Sequence, residues 1–121
     1  MANIATGDFG IRGNVSEIQR FLDDAKKSGY FSFTLRGGDG LTIEKEIVDI
    51  DQYGRIKVYL PVDFRWKIDA SELEQLSIEY ELDFWSLVFD TGTSFIHEVC
   101  VKGGKVVYDH QQNYVTWKGG F

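Results

Sequence analysis

Apolar residues change their spacing several times along this chain, and each change marks an element. Ala5, Gly7, Phe9 and Ile11 alternate with polar Thr6 and Asp8 as far as Gly13, with Ile4 on the opposite face. A period of two turns one side of a strand toward a core, here through Phe9 and Ile11. From Val15 the spacing becomes three and four. Val15, Ile18, Phe21, Leu22 and Ala25 then form one stripe of a helix over about 14–28, with Arg20, Asp23, Asp24 and Lys27 outside it. Asn14 is placed to accept from the free amides of the first turn while Glu17 reaches back to it, and Ser28-Gly29 stops the helix.

Alternation returns at Phe31, Phe33 and Leu35, and Gly37-Gly38-Asp39-Gly40 turns the chain into a run from Leu41 to Ile50, which predicts a hairpin. The turn Asp51-Gln52-Tyr53-Gly54 and the strand of Ile56, Val58 and Leu60 extend it into a meander. Pro61 has no N–H for a ladder, so pairing is expected to loosen through Val62-Asp63-Phe64-Arg65-Trp66. Asp69-Ala70-Ser71-Glu72 repeats the capping pattern and predicts a short helix over about 70–76. Leu76, Ile78, Tyr80 and Leu82 next alternate with Ser77, Glu79, Glu81 and Asp83, as a half-buried strand does. A last hairpin, from Ser94 to about Tyr114, turns at Gly103-Gly104; a two-residue turn there sets Val99 opposite Tyr108 and His97 opposite His110.

This order of elements predicts an α+β domain, with a ferredoxin-like sandwich as the expected architecture: one long and one short helix on one face of an antiparallel sheet. Asn3-Ile4-Ala5-Thr6-Gly7 leading through Ile11-Arg12-Gly13 to Ile18 and Phe21-Leu22 resembles the YubB ferredoxin-like family of plasmids, phages and other mobile elements. So does Leu76-Ser77-Ile78-Glu79-Tyr80-Glu81 followed by Lys102-Gly103-Gly104-Lys105-Val106-Val107. Where that family carries a Trp-Ser-Pro-Pro-like element, this chain has Leu60-Pro61-Val62-Asp63-Phe64-Arg65-Trp66. The resemblance implies a mobile-element accessory protein and supplies no catalytic residues.

At 121 residues and 43% hydrophobic, the chain fits one domain over 1–121 with a core of its own. A single proline leaves little room for a linker, and the lone Cys100 cannot close an internal disulfide. With no basic and apolar leader and no apolar run of the roughly 20 residues that cross a bilayer, a cytoplasmic protein is expected.

Charge sharpens this picture. Between Ile68 and Val101 stand eight acids (Asp69, Glu72, Glu74, Glu79, Glu81, Asp83, Asp90, Glu98) and no Lys or Arg, which leaves 11 acids against all 13 bases of the chain. Such segregation speaks of partners, and it argues against direct binding of nucleic acid through this surface. On the expected strand, Glu79, Glu81 and Asp83 would leave one face about 6.5–7 Å apart, a ladder able to imitate a phosphate backbone. With Trp85 at its rim, the expectation is a non-enzymatic acidic protein that binds a basic protein surface and inhibits a host nucleic-acid enzyme, such as a defence nuclease. The alternatives are a carboxylate-based hydrolase at Glu79, Glu81 and Asp83, or a nucleic-acid module built on Arg55, Lys57, Arg65 and Lys67. Gathering of those cations with Tyr59 on one exposed face would favour nucleic acid. Cys100 reads as a small buried hydrophobe rather than a nucleophile, and two histidines are short of a zinc ligand set. The glycine runs lack the ending of a phosphate loop. No cofactor or metal is therefore expected. Edge strands leave a homodimer open.

Overall fold

A computed structural model describes residues 4–27, 29–36, 47–65, 67–90 and 95–113, apart from the side chains of 47, 48 and 113. Its elements run β1 (Ile4–Gly13), α1 (Val15–Ala25), β2 (Phe33–Leu35), β3 (Ile47–Ile50), β4 (Ile56–Arg65), α2 (Ala70–Tyr80), β5 (Asp83–Asp90), β6 (Phe95–Lys102) and β7 (Lys105–Asn113). The strands form one seven-stranded antiparallel sheet in the order β2-β4-β1-β5-β6-β7, with β3 following β2 along the outer edge of β4. The α+β class expected from the order of elements is therefore present. Among the described residues no helix is long and apolar enough to cross a membrane.

Alternation sends one set of side chains under the helices. Phe9 and Ile11 of β1, Ile56 to Phe64 at every second position of β4, Phe84 and Val88 of β5, and Val99 and Val101 of β6 are all buried. Phe9 is stacked on Phe84 at 5.4 Å between ring centres and lies 6.1 Å from Phe21 of α1. Tyr80 of α2 meets Phe21 edge-on at 5.4 Å. Both helices thus cover the same face, and each fully buried Phe contributes roughly 1.5–3 kcal/mol there. The Tyr80 hydroxyl donates to Asp24 and Arg20 lies over the Tyr80 ring at 4.3 Å, so polar contacts fasten α1 to α2 at the margin of the core. Burial and the bond to Asp24 raise the Tyr80 phenol above its ordinary value.

Several local expectations are corrected. α1 ends at Ala25, and the Asn14 side chain makes no capping bond; Glu17 instead pairs with Arg20 at 2.7 Å. Val15, expected in the apolar stripe, is 47% exposed. β2 and β3 each pair with β4, end to end along one edge of it, and β3 and β4 flank the expected turn; the first expected turn at Gly37 to Gly40 and the run Leu41 to Glu46 lie outside the described residues. The expected turn at Asp51 is present, with the Asp51 carboxylate accepting from the amides of Tyr53 and Arg55 at 2.9 Å.

Pro61 does not loosen the ladder: β4 runs through it, opposite Asp8 of β1. Its carbonyl accepts from Arg36 N–H just beyond β2, and a strand residue points its N–H and C=O to the same side. The missing N–H therefore lies on the β2 side, toward Arg36, and β1 loses no hydrogen bond.

The largest correction concerns 76–80, expected as strand and found as the second half of α2. The buried residues are Leu73, Leu76, Ser77 and Tyr80, a spacing of three and four, whereas Ile78 is 65% exposed. Ser77 tolerates burial because its hydroxyl donates to Leu82 C=O at 2.6 Å and accepts from Gly104 N–H at 3.0 Å. Asp69 caps this helix as expected, accepting from Glu72 N–H at 3.1 Å.

Candidate functional site

The residues left over by the core form the opposite face of the sheet, which no described helix covers. Register arranges them in rows across the strands. One row runs Asp49, Lys57, Arg12, Asp83, Lys102 and Lys105 from β3 to β7. The next runs Tyr59, Gly10, Trp85, Cys100 and Tyr108. Arg55, at the start of β4, extends the first row by donating to Asp83 at 3.1 Å.

Asp83 also accepts from Gly103 N–H at 3.1 Å, so its charge is matched inside the row. The balance of this end of the face is five cations (Arg12, Arg55, Lys57, Lys102, Lys105) to two carboxylates (Asp49, Asp83), a local excess opposite in sign to the chain's net −6. Gly10 is the hinge of the aromatic row. A side chain there would place its Cβ 2.7 Å from the Tyr59 ring and 3.3 Å from Trp85, so only glycine lets the two rings lean together. They meet edge-on at 5.8 Å between centres. The Trp85 indole N–H donates to Glu98 at 2.7 Å, which fixes the ring, while Tyr59 stays 42% exposed. Arg12, Lys57, Tyr59, Asp83, Trp85 and Lys102 line a shallow depression of about 250 Å³.

The expected carboxylate ladder is absent. Glu79 lies exposed on the last turn of α2, Glu81 caps that helix in the left-handed conformation at φ 55, and Asp83 opens β5. A helix followed by a reversal cannot hold a two-residue spacing on one face. Of the acidic stretch, Asp69 and Glu72 are engaged at the start of α2, where Glu72 accepts from Ser32 N–H at 3.1 Å. Glu74 accepts from Val106 N–H at 3.0 Å, and Glu98 holds Trp85. Among the expected site residues, Asp83 and Trp85 come together on the open face, and Glu79 and Glu81 do not.

The cations divide as well. Arg55 and Lys57 join the basic row, but Arg65 and Lys67 lie at the far end of β4, beside His97 and Asp109. Arg12, Lys102 and Lys105 were missed because a basic row assembled from four strands leaves no run in the sequence; the alternation of β1 and β6 was the available signal. Lys102 also shares a face with Cys100, two residues before it, so the half-buried thiol stands at the edge of a cationic depression rather than in the core.

The histidines are not cross-strand neighbours. Gly103 and Gly104 form the expected two-residue turn, both at positive φ, but β7 bulges after Val106 and the register slips by one, placing His97 opposite Gln111 and His110 opposite Glu98. His97 is 1% exposed. Its Nδ1 accepts from Ile68 N–H at 3.0 Å, so Nε2 carries the proton that meets Asp109 at 2.7 Å. The ring ties the start of α2 to β7. No family model, curated protein or solved structure matches this chain.

Proposed function

We propose that this is a non-enzymatic binding module that takes single-stranded nucleic acid on its open sheet face. The observation that carries the proposal is the contact between two rows in one depression: Tyr59 and Trp85 leaning over Gly10, with Lys57, Arg12 and Lys102 one step below. Tyr59 is exposed and Trp85 half-buried; surface rings accept the faces of unpaired bases and the cations neutralise phosphates, whereas a duplex hides its base faces. A stacked base is worth about 1–3 kcal/mol to such a platform.

The charge-mimic alternative, with a basic protein surface as partner, rested on a strand ladder of Glu79, Glu81 and Asp83. Those residues are dispersed, and Asp83 is matched by Arg55. The hydrolase alternative loses its support for the same reason.

For the finer architecture we infer a ferredoxin-like core. Its support is the succession β1-α1-(β2, β3)-β4-α2-β5 with β1 between β4 and β5, to which the β6–β7 hairpin adds two edge strands. The resemblance to the YubB ferredoxin-like family agrees with that topology and with a mobile-element accessory role.

The test is fluorescence anisotropy of a dye-labelled, mixed-sequence single strand of about a dozen nucleotides, within the span of one binding fold. The single strand is expected to bind more tightly than the matched duplex. Lys57→Glu with Lys102→Glu is expected to reduce the salt slope of log affinity by about 2, one unit for each phosphate contact. Equal binding by the double variant, or no binding of any single strand, would refute the proposal. Retention of a basic protein by that variant, in place of nucleic acid, would favour the mimic.

A further inference from the structure

A third row lies on the open face, on the other side of the aromatic row from the cations. Asp8 of β1 stands two residues before Gly10, Glu98 of β6 stands two before Cys100, and Leu87 of β5 lies between them in register with both. Side chains two apart on a strand are about 6.5–7 Å apart, so both carboxylates border the rings. Their neighbours hold them in place. Glu98 accepts the Trp85 indole N–H through Oε2 at 2.7 Å, which orients the carboxylate and leaves Oε1 for another donor. The backbone of Asp8 is fixed by Ser86, whose hydroxyl donates to the Asp8 carbonyl at 2.7 Å, and the side chain is exposed.

Across these three rows the face is polar in one direction, cations, then rings, then carboxylates, and Arg36 beyond them is engaged by Thr6 and Asp63. We infer that this order reads base identity and selects guanine within the single strand; the inference rests on the binding proposed above. A nucleotide with its phosphate on Lys57, Arg12 or Lys102 and its base on Tyr59 and Trp85 turns the hydrogen-bonding edge of that base toward Asp8 and Glu98. Carboxylates only accept. Guanine offers two adjacent donors, N1–H and N2–H, which match the two oxygens of one carboxylate. Cytosine and adenine offer an exocyclic amine beside an acceptor. Thymine and uracil offer one N–H between two carbonyls, and those carbonyls face the carboxylate with like partial charge. The expected order is guanine first and thymine or uracil last, with roughly a tenfold gap for one bidentate contact.

The experiment compares two single strands of about a dozen nucleotides. One is all thymidine; the other carries guanines at non-adjacent positions, which prevents four-stranded assembly. Binding is measured by anisotropy for the unchanged protein and for Asp8→Asn with Glu98→Gln, a pair that keeps side-chain size and leaves an amide oxygen to accept from Trp85. The near-ultraviolet dichroism and the thermal midpoint show that the variant is folded. The unchanged protein is expected to hold the guanine-bearing strand about tenfold more tightly, and the variant to narrow the gap to about twofold by gaining affinity for thymidine. Equal affinity for the two strands, or a gap that survives in the variant, overturns the guanine inference while leaving the platform intact. Failure of both strands to bind overturns both.

Discussion

The two faces of the sheet are made by the same strands and differ in what each alternate residue is asked to do. On the covered face of β1, β4 and β5, Phe9, Phe64 and Phe84 are at most 2% exposed and pack under α1 and α2. On the open face of the same strands, Tyr59 keeps 42% of its surface, Trp85 is fixed by a hydrogen bond, and Gly10 gives up a side chain to make room for both. Aromatic content alone does not separate the two roles. Tyr59 and Trp85 bear a hydroxyl and an indole N–H, which let a ring remain at a wet surface, whereas the hydroxyl of the buried Tyr80 is taken up by Asp24 at the margin of the core.

The sharpest break between the faces should appear in stability. Phe84→Ala removes a ring stacked on Phe9 and close to Phe21, and is expected to cost about 3–5 kcal/mol in denaturant unfolding. Gly10→Ala should fall between the faces. Its Cβ enters the space of the Tyr59 ring, so a loss of about 1–3 kcal/mol is expected together with weakened oligonucleotide binding. A Gly10→Ala variant that binds normally would separate the aromatic row from the function.

The covered side explains where the sequence was legible. Regular alternation placed β1, the first half of β4 and the β6–β7 hairpin, and the capping pattern placed the start of α2. The end of α2 was not legible, because Leu76 to Asp83 satisfies two periods at once. Burial of Ser77 in place of Ile78 decides for the helix, and it depends on partners at Leu82 and Gly104 that are remote from the helix pattern. Nor does glycine mark the stop: Glu81 adopts φ 55 and its N–H bonds to Ser77 C=O. A left-handed non-glycine residue costs about 1–2 kcal/mol, so Glu81→Gly is expected to stabilise the fold by about 1 kcal/mol, read as a raised thermal midpoint. The basic row was half legible. Arg55 and Lys57 could be read from β4, whereas joining them to Arg12, Lys102 and Lys105 required the strand order, in which β1 lies between β4 and β5.

The margin of the covered face carries a pH signature. Burial and Asp24 raise the Tyr80 phenol above its ordinary value near 10, so the folded chain keeps a proton that the unfolded chain releases. That contribution is fully present below about pH 10 and is lost as pH rises above it. Tyr80 in turn, and then Lys27, lower Asp24 below its ordinary 3.8, so its contribution is present above that value and lost as pH falls below it. Tyr80→Phe should flatten the dependence of unfolding free energy on pH at both extremes. An unchanged slope between about pH 9 and pH 11 would show that the phenol is not perturbed.

The smallest stability effect is expected from Lys57→Glu with Lys102→Glu, within about 0.5 kcal/mol for each surface substitution, although the same pair should be the most damaging to binding. A large loss of stability would mean that the basic row is structural.

The most direct measurement of the division between the faces is a map of amide chemical shifts on adding a mixed-sequence single strand. Shifts are expected to concentrate on Gly10, Arg12, Lys57, Tyr59, Trp85 and Cys100 and to leave the amides of α1 and α2 in place. Shifts concentrated on α2 around Glu79 and Glu81, or none on the open face, would contradict that division.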